Sequence, residues 1–215
     1  MAKYIDHTLL KPEASIDAID KLCDEAVLHG FKAVCVHSGY IAHVADRLTG
    51  ENVAVCSVVG FPLGAMHSSA KAFEAQTAVQ CGAQELDMVL NIGAVKSADF
   101  KTAEADIRAV RQAADLKTIL KVIIETSLLN EEEKIRACKI SKNGGADFVK
   151  TSTGFAGGGA TVADVRLMRK IVGREMRIKA SGGIKDWDTA VTMIKAGADR
   201  IGTSSGIVII ENASG

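Results

Sequence analysis

The chain has 215 residues, 47% of them hydrophobic, and its 26 lysines and arginines are balanced by 26 aspartates and glutamates. This length predicts one large α/β domain, with two small domains as the alternative. The formal net charge of zero argues against a nucleic-acid-binding surface and against a basic face attracted to membranes. Small neutral or phosphorylated ligands remain compatible with it.

Five cysteines are widely spaced in apolar runs, with no CxxC motif and no cluster with histidine. This pattern is typical of reduced, buried thiols. The start MAKYIDHTLLKPE lacks the apolar core of a signal peptide, and no run approaches the roughly 18 apolar residues of a membrane span. We therefore expect a soluble, cytoplasmic protein. The cysteines are Cys23, Cys35, Cys56, Cys81 and Cys138.

Helix-like and strand-like segments alternate along the whole chain. Glycine ends a helical pattern directly before a β-rich run at Gly30, Gly82, Gly145 and Gly197, as expected for the left-handed residue that closes a helix. The predicted strands are Tyr4–Thr8, Lys32–His37, Val53–Val59, Glu85–Asn91, Thr118–Glu125, Asp147–Ser152, Arg177–Ser181 and Asp199–Ser204. The predicted helices are Ile16–His29, Tyr40–Leu48, Ser68–Gln80, Phe100–Ala114, Glu131–Lys142, Val162–Val172 and Asp186–Lys195.

Eight strands joined by helices predict an α/β fold of the (β/α)8 type, a TIM barrel, as one domain over residues 1–215. A doubly wound open sheet is the alternative. Its dinucleotide-binding form would carry GxGxxG after the first strand, and that motif is missing there.

Lys150 lies in the stretch DFVKTSTGF, where an apolar run gives way to small polar residues and Gly154. The pattern predicts the carboxyl end of a strand, and a lysine that loses hydration there is a candidate nucleophile. A lysine on an edge strand that only discourages aggregation is the alternative. Recurrence favours the nucleophile, because Lys121 and Lys179 lie 29 residues to either side of Lys150.

Strand parity places these lysines inside the predicted barrel. In the fourth strand Leu86 and Met88 share the parity expected to face the helices, which leaves Asp87 facing inward. The same parity directs Lys121, Lys150 and Lys179 inward, at heights that we expect to be comparable on three neighbouring strands. Charged side chains in a barrel interior are costly unless they are used, although a structural ion-pair network is the alternative.

Crowded amines favour Schiff-base chemistry. Two like charges roughly 4 Å apart at an effective dielectric constant of about 20 repel by about 4 kcal/mol. Such repulsion would lower the pKa of one amine by up to roughly three units, so that it is often neutral near pH 7 and can attack a carbonyl. We expect the second lysine to keep its charge and Asp87 to move protons.

Glycine-rich turns end the seventh and eighth predicted strands. Ser181, Gly182 and Gly183 form the first turn, and the second runs from Gly202 to Gly206. Barrels commonly bind phosphate between these two turns. With Lys185 as the added charge nearby, the pattern suits one phosphate monoester better than a nucleotide.

These residues and motifs resemble the deoxyribose-phosphate aldolase family along nearly the whole chain. The matching stretches begin at residues 6, 33, 85, 120, 147, 178 and 201 and read DHTLLKP, AVCVH, ELDMVLN, LKVIIET, DFVKTSTGF, IKASGGIK and IGTSS. The resemblance implies reversible cleavage of 2-deoxy-D-ribose 5-phosphate to D-glyceraldehyde 3-phosphate and acetaldehyde, with no metal or organic cofactor.

The resemblance also implies roles for individual residues. Lys150 is expected to form the Schiff base, with Lys179 supporting it and Asp87 relaying protons. The ASGG and GTSS turns are expected to hold the substrate phosphate, and the inward parity of Asp6, Thr8 and Cys35 suggests that they line the acetaldehyde end, where a thiol is expected to pack. The expected substrate-binding residues are Asp6, Thr8, Cys35, Lys121, Thr153, Gly154, Gly182, Gly183, Gly202, Ser204 and Ser205.

Two other functions are compatible with these residues. The rivals are a Schiff-base barrel aldolase acting on a ketose phosphate, and a non-catalytic barrel that binds phosphosugars. We expect a homo-oligomer, a dimer or a tetramer, with a small phosphorylated sugar as its ligand and with neither nucleic acid nor membrane as a partner.

Some family members end in a tyrosine thought to reach the site, whereas this chain ends in Asn212, Ala213, Ser214 and Gly215.

Overall fold

A closed barrel of eight parallel strands forms the centre of the computed structural model, which describes residues 1–212. Strand β1 pairs with both β2 and β8, which closes the sheet and confirms the predicted TIM barrel. The strands are β1 (Ile5–Thr8), β2 (Ala33–Val36), β3 (Ala54–Val59), β4 (Glu85–Val89), β5 (Ile119–Ile123), β6 (Phe148–Lys150), β7 (Arg177–Ser181) and β8 (Arg200–Thr203).

Helices connect successive strands and cover the outside of the barrel. They are α1 (Ile16–His29), α2 (Ile41–Arg47), α3 (Ser68–Gln80), α4 (Ile92–Lys96), α5 (Phe100–Ala113), α6 (Glu131–Asn143), α7 (Val162–Val172), α8 (Trp187–Ala196) and α9 (Gly206–Glu211). Short 3-10 helices lie at Ala2–Tyr4, Ser38–Tyr40 and Thr126–Leu128. Within residues 1–212, no helix combines the length and the apolar character needed to cross a bilayer.

Side-chain caps start several of these helices where the sequence supplies short polar residues. Asn130 accepts a hydrogen bond from the amide of Glu133, whose carboxylate accepts one from the amide of Asn130, so α6 begins with a complete capping box. Thr161 caps α7 by accepting from the amide of Asp164. Gly30 ends α1 with a φ of 64°, as predicted from its position before β2.

The predicted division into outward and inward side chains is confirmed. Leu86, Met88 and Leu90 are fully buried in the apolar layer between the barrel and the helices. Asp87 is equally buried but lies inside the barrel, in contact with the interior lysines. A separate, small apolar cluster that includes Cys35 fills part of the same interior.

Strand register corrects one expectation about height. Lys150 is paired directly with Lys179, so these two lysines do lie side by side on β6 and β7. Lys121 is paired with Phe148, two residues before Lys150, and therefore lies one inward layer deeper. The prediction that the three lysines share one height was wrong for Lys121, because equal sequence spacing takes no account of the stagger between strands in a closed barrel.

Two short helices were not predicted, and several strands are shorter than predicted. Asn91, which we expected in β4, instead caps α4 by accepting from the amide of Ala94. Helix α9 follows β8 in a run that reads equally well as apolar strand or helix. β6 ends at Lys150 rather than Ser152, so the residues after it belong to a loop above the barrel.

Candidate active site

A cavity of about 320 Å³ opens at the carboxyl ends of β1, β6, β7 and β8. Eight of the predicted site residues line it, and the position is the one at which TIM barrels carry their active sites. These eight are Thr8, Lys150, Thr153, Gly154, Gly182, Gly183, Gly202 and Ser204. Its other lining residues include Leu10, Lys11, Phe155, Ile184, Lys185 and Thr203.

Lys150 lies at the floor of this cavity. Its side chain is only 4% exposed, and its Nζ donates a hydrogen bond of 2.7 Å to Oδ2 of Asp87. The same carboxylate oxygen accepts a second bond of 2.7 Å from Nζ of Lys179, which is fully buried. The three predicted catalytic groups therefore meet at one oxygen atom.

The remaining interior charges surround this trio from below. Lys179 also lies 2.5 Å from a carboxylate oxygen of Asp6. Lys121 lies 2.8 Å from Asp87 and 2.6 Å from Glu85. Arg200 joins the group by donating to both Asp6 and Glu85. We call this set the interior network; it comprises Asp6, Glu85, Asp87, Lys121, Lys150, Lys179 and Arg200.

Charge counting singles out Lys150 within the interior network. With every group ionised, four cations face three carboxylates, which leaves one unbalanced positive charge in a water-poor interior. An unbalanced buried charge costs on the order of several kcal/mol. Without the positive charge of Lys150, the three remaining cations balance the three carboxylates. Lys150 is also the one lysine of the network that lines the cavity.

The pKa shifts show which groups stay ionised. Burial alone would raise the pKa of Asp87, but the charges of Lys121, Lys150 and Lys179 hold it well below its usual value. Burial would lower the pKa of Lys179, but Asp6 and Asp87 raise it above the usual value instead. Asp87 and Lys179 are thus a carboxylate and an ammonium group throughout the neutral range.

This geometry changes the physical reason for expecting a reactive amine. From the sequence, we expected direct repulsion between two lysines to favour a neutral amine. In the structure, Asp87 accepts a hydrogen bond from each of Lys150 and Lys179. Attraction to Asp87 compensates much of that pairwise repulsion. The excess of one cation over the carboxylates of the interior network replaces it as the physical reason for expecting a reactive amine.

Two thiols complete the floor of the site. Sγ of Cys56 lies 3.3 Å from Asp87 and 3.4 Å from Nζ of Lys121. Cys35 is its register partner on the neighbouring strand, and ligand atoms of Cys35, Cys56 and Asp87 lie within 4.8 Å of one another. Both oxygens of Asp87 already accept from ammonium groups, so a cation there would have to displace them.

Glycines shape the rim of the cavity. Gly182 and Gly183 have φ values of 86° and 78°, which favour glycine over residues with a Cβ atom. A Cβ atom on Gly202 would lie 2.9 Å from Cε of Lys179, so a larger residue there would push against that side chain where it passes β8. The oxygen of Thr203 accepts from the amide of Ser205 and its hydroxyl donates to Ile184, which ties the two turns together.

Six predicted site residues do not line the cavity. Asp6, Asp87, Lys121 and Lys179 lie below its floor in the interior network, and Cys35 is fully buried beside Cys56. Ser205 lies behind the rim, with its amide occupied by Thr203. The last three residues of the chain, and with them the question of a terminal side chain at the site, lie outside the described residues.

Sequence reasoning missed some lining residues. Lys11 lies on the rim in the loop after β1, and its place within the motif DHTLLKP was the available signal. Phe155 lies in the loop after β6, and its ring packs edge-on against that of Phe61, with ring centroids 5.2 Å apart. No pattern in the sequence relates these two aromatic residues, because they are 94 positions apart.

Comparison with known proteins gives consistent matches over almost the full chain. The family described as "DeoC/LacD family aldolase" matches residues 1–211. A protein from Brevibacillus brevis named deoxyribose-phosphate aldolase is 58% identical over 213 residues, covering 99% of this chain and 96% of the relative. One from Bdellovibrio bacteriovorus with the same name is also 58% identical, covering 100% of this chain and 97% of the relative.

Solved structures match the fold equally well. An aldolase called QR15 is 44% identical, with a TM-score of 0.93 over 98% of this chain and 94% of its own. A deoxyribose phosphate aldolase from Aeropyrum pernix, described as having a unique tetrameric structure, is 34% identical with a TM-score of 0.91. That match covers 98% of this chain and 89% of the other.

Proposed function

The chain belongs to the DeoC/LacD family of aldolases, and from that premise we propose that it cleaves 2-deoxy-D-ribose 5-phosphate reversibly to D-glyceraldehyde 3-phosphate and acetaldehyde. The reaction runs through a Schiff base on Lys150. The observation that carries the proposal is the amine of Lys150 at the floor of the cavity, 2.7 Å from Asp87. The names of the relatives support the choice of substrate.

Substrate orientation follows from the two ends of the cavity. The aldehyde carbon C1 lies at Lys150, and the phosphate lies at the rim among the turns after β7 and β8. Gly182, Gly183 and Ser204 offer loop amides and a hydroxyl there, and Lys185 adds a positive charge. These groups suit a single phosphate monoester, because a nucleotide would need further contacts for its base and ribose.

Schiff-base formation begins with neutral Lys150. Its nitrogen attacks C1, and the resulting carbinolamine takes up one proton and loses water to give an iminium ion that carries one N–H. That N–H takes the place of the Lys150 hydrogen that donates to Asp87 in the present structure. The carboxylate, ionised because of its low pKa, thereby stabilises the positive iminium without any rearrangement.

Carbon–carbon cleavage uses the iminium as an electron sink. A water bound to the Asp87–Lys179 pair takes the proton of the C3 hydroxyl and passes a proton to the Asp87 carboxylate, the C2–C3 bond breaks, and its electrons form an enamine on Lys150. D-glyceraldehyde 3-phosphate leaves, and the proton held by Asp87 is transferred through water to C2 of the enamine. Hydrolysis of the new iminium frees acetaldehyde, releases one proton and returns neutral Lys150.

Borohydride trapping tests the mechanism. Reduction in the presence of 2-deoxyribose 5-phosphate is expected to add mass to the peptide that contains Lys150, and Lys150→Ala is expected to abolish both the adduct and cleavage. A Lys150→Ala variant with full activity would exclude the mechanism. Acetaldehyde should serve as the nucleophile in the reverse reaction, whereas preference for dihydroxyacetone phosphate would point to a ketose-phosphate aldolase.

We further propose that the protein is a cytoplasmic homo-oligomer, a dimer or a tetramer. Free thiols at all five cysteines support a reducing compartment. The Aeropyrum pernix relative described as tetrameric supports self-association, and exposed apolar side chains such as Phe73, 70% exposed, offer surface for it. Light scattering coupled to gel filtration tests this, and a monomer at micromolar concentration would contradict it.

A further inference from the structure

Glu125 is a buried carboxylate in a strained backbone conformation beside the proposed site. It follows β5 with a φ of 52° and a ψ of 68°, which is the left-handed region that residues with a Cβ atom rarely adopt. Its side chain is buried, with an exposed fraction of 2% for the residue. Only one other residue in the described part of the chain, Ala98, combines a Cβ atom with a positive φ.

The backbone around Glu125 is tied to the strand that carries the proposed nucleophile. The amide of Ile124 donates to the carbonyl of Lys150 at 3.0 Å, and the amide of Thr126 donates to the carbonyl of Thr151 at 2.9 Å. Glu125 lies between these two bonds. Its position is therefore set relative to β6 and to the loop above it.

One oxygen of Glu125 makes two bonds to a single residue of that loop. Oε2 accepts from the amide of Thr153 at 3.0 Å and also from the hydroxyl of Thr153. Oε1 has no hydrogen-bond partner within residues 1–212. A buried carboxylate with half of its capacity unused is costly, and fold stability alone does not explain why this position should keep it.

The contact fixes the direction of the Thr153 hydroxyl. A threonine hydroxyl has one hydrogen to donate and two lone pairs to accept with. The hydrogen goes to Glu125, and one lone pair accepts from the amide of Phe155 at 3.1 Å. Thr153 lines the cavity that contains Lys150 as well as a smaller one beside Glu125, so we infer that the one remaining lone pair is available to a ligand in the Lys150 cavity.

We propose that Glu125 is a positioning residue that fixes Thr153 as a hydrogen-bond acceptor for a hydroxyl group of the substrate. Recognition then requires a hydroxyl that donates, so the site favours a hydroxylated sugar chain over an analogue that lacks this group. The inference rests on the proposed function, because it assumes that the sugar chain lies in this cavity. It adds to that function a source of substrate specificity outside the interior network.

The test separates two substrates that share the Schiff base and differ in hydroxyl groups. Glu125→Leu removes the acceptor and is expected to lower kcat/KM for cleavage of 2-deoxyribose 5-phosphate at least tenfold. Borohydride trapping of acetaldehyde on Lys150 should stay within twofold of the parent protein, because acetaldehyde has no hydroxyl. Glu132→Leu, the same change at an exposed position on α6, should alter neither readout.

Coupling to Thr153 is measured by a double-mutant cycle. If Glu125 acts through Thr153, Glu125→Leu should lower kcat/KM no further in a Thr153→Val background. Equal losses in cleavage and in acetaldehyde trapping would overturn the inference and indicate a structural role. Unchanged cleavage in Glu125→Leu would overturn it as well.

A second pair of variants keeps the inference falsifiable if Glu125→Leu does not fold. Thr153→Ser keeps the hydroxyl and should retain cleavage, whereas Thr153→Val should lose it while trapping of acetaldehyde persists. Equal cleavage by both would contradict the inference. Failure of the proposed function looks different, because the unsubstituted protein would then form no adduct with either compound.

Discussion

Lys150 differs from Lys121 and Lys179 in its surroundings rather than in its chemistry. Lys121 and Lys179 each contact two carboxylates, whereas Lys150 contacts Asp87 alone. Removing a proton from Lys150 therefore breaks one ion pair and removes the excess charge of the interior network, while removing one from Lys179 breaks two. We propose that position in the network decides which amine reacts.

Replacing Lys179 should lower activity strongly. In Lys179→Met three cations face three carboxylates, so the interior network no longer carries a surplus positive charge, and Asp87 loses one of its hydrogen-bond donors. We expect kcat/KM at pH 7 to fall at least a hundredfold. Steady-state kinetics measure this, with the exposed Lys142→Met as control, and unchanged activity would contradict it.

Gly202 should tolerate no side chain. In Gly202→Ala the Cβ atom would lie 2.9 Å from Cε of Lys179 and 3.0 Å from Cβ of Ser181. We expect displacement of Lys179, at least a tenfold loss of kcat, and a loss of about 1–3 kcal/mol in unfolding free energy. Gly39→Ala is the matched control, since a Cβ atom there meets nothing within 4 Å. Full activity in Gly202→Ala would show that Lys179 can move without cost.

At the scale of elements, a second buried ion pair joins two helices to the barrel. Lys71 on α3 lies 2.5 Å from Asp106 on α5, and both side chains are fully buried. Nζ of Lys71 also donates to the carbonyl of Val89 at the end of β4, 2.9 Å away. This pair fixes α3 and α5 against the strand that carries Asp87.

Breaking this helix pair should cost more than removing it altogether. Lys71→Met leaves Asp106 as an unpaired buried charge, and we expect a loss of about 3–5 kcal/mol in unfolding free energy. The double variant Lys71→Met with Asp106→Leu should recover much of that loss. Urea unfolding measures both, and a single-variant cost below about 1 kcal/mol, typical of exposed pairs, would show that the site is solvated.

Element-level patterns were the most predictable part of the structure. Alternation of Leu86, Asp87 and Met88 was enough to assign the faces of β4, because a strand has a period of two. Short connecting helices were not predictable in the same way. Asn91 reads as a strand residue by parity, and its role as a helix cap depends on where the strand turns away from the sheet.

The sequence was enough to predict which residues form the centre of the site, but not all of their contacts. Inward parity identified Lys150, Lys179 and Asp87, which the structure brings together at one oxygen. The partners of those groups were not apparent, because Asp6 and Arg200 are 194 positions apart in sequence and meet only when the barrel closes. Glu125 shows the same limit, since neither its positive φ nor its contact with Thr153 is apparent from the sequence.

At the scale of the whole molecule, buried carboxylates couple stability to pH. Glu85 is 2% exposed; burial would raise its pKa, but Lys121 and Arg200 lower it to about 2. In an unfolded chain the pKa of a glutamate is about 4.3, so this group contributes on the order of 3 kcal/mol above that pH. The contribution is lost as pH falls through the folded value. Asp87, whose pKa is also lowered, acts in the same direction.

Unfolding free energy should therefore decrease steeply below about pH 4. Denaturant unfolding from pH 2.5 to 6 measures the decrease. Glu85→Gln should be less stable than the parent at pH 6 and should lose less on acidification. The exposed Glu51→Gln serves as control, with little change at either pH, and an identical slope in the Glu85 variant and the parent would contradict the assignment.

The barrel interior also bears on protein design. A lysine introduced alone at the mouth of an unrelated barrel would be an ordinary ammonium ion, because no surrounding charges would favour release of its proton. What would have to be transplanted is the group of seven ionisable side chains from six strands, with its surplus of a single cation. A smaller set of residues would transfer the lysine without the surplus charge to which we attribute its proposed reactivity.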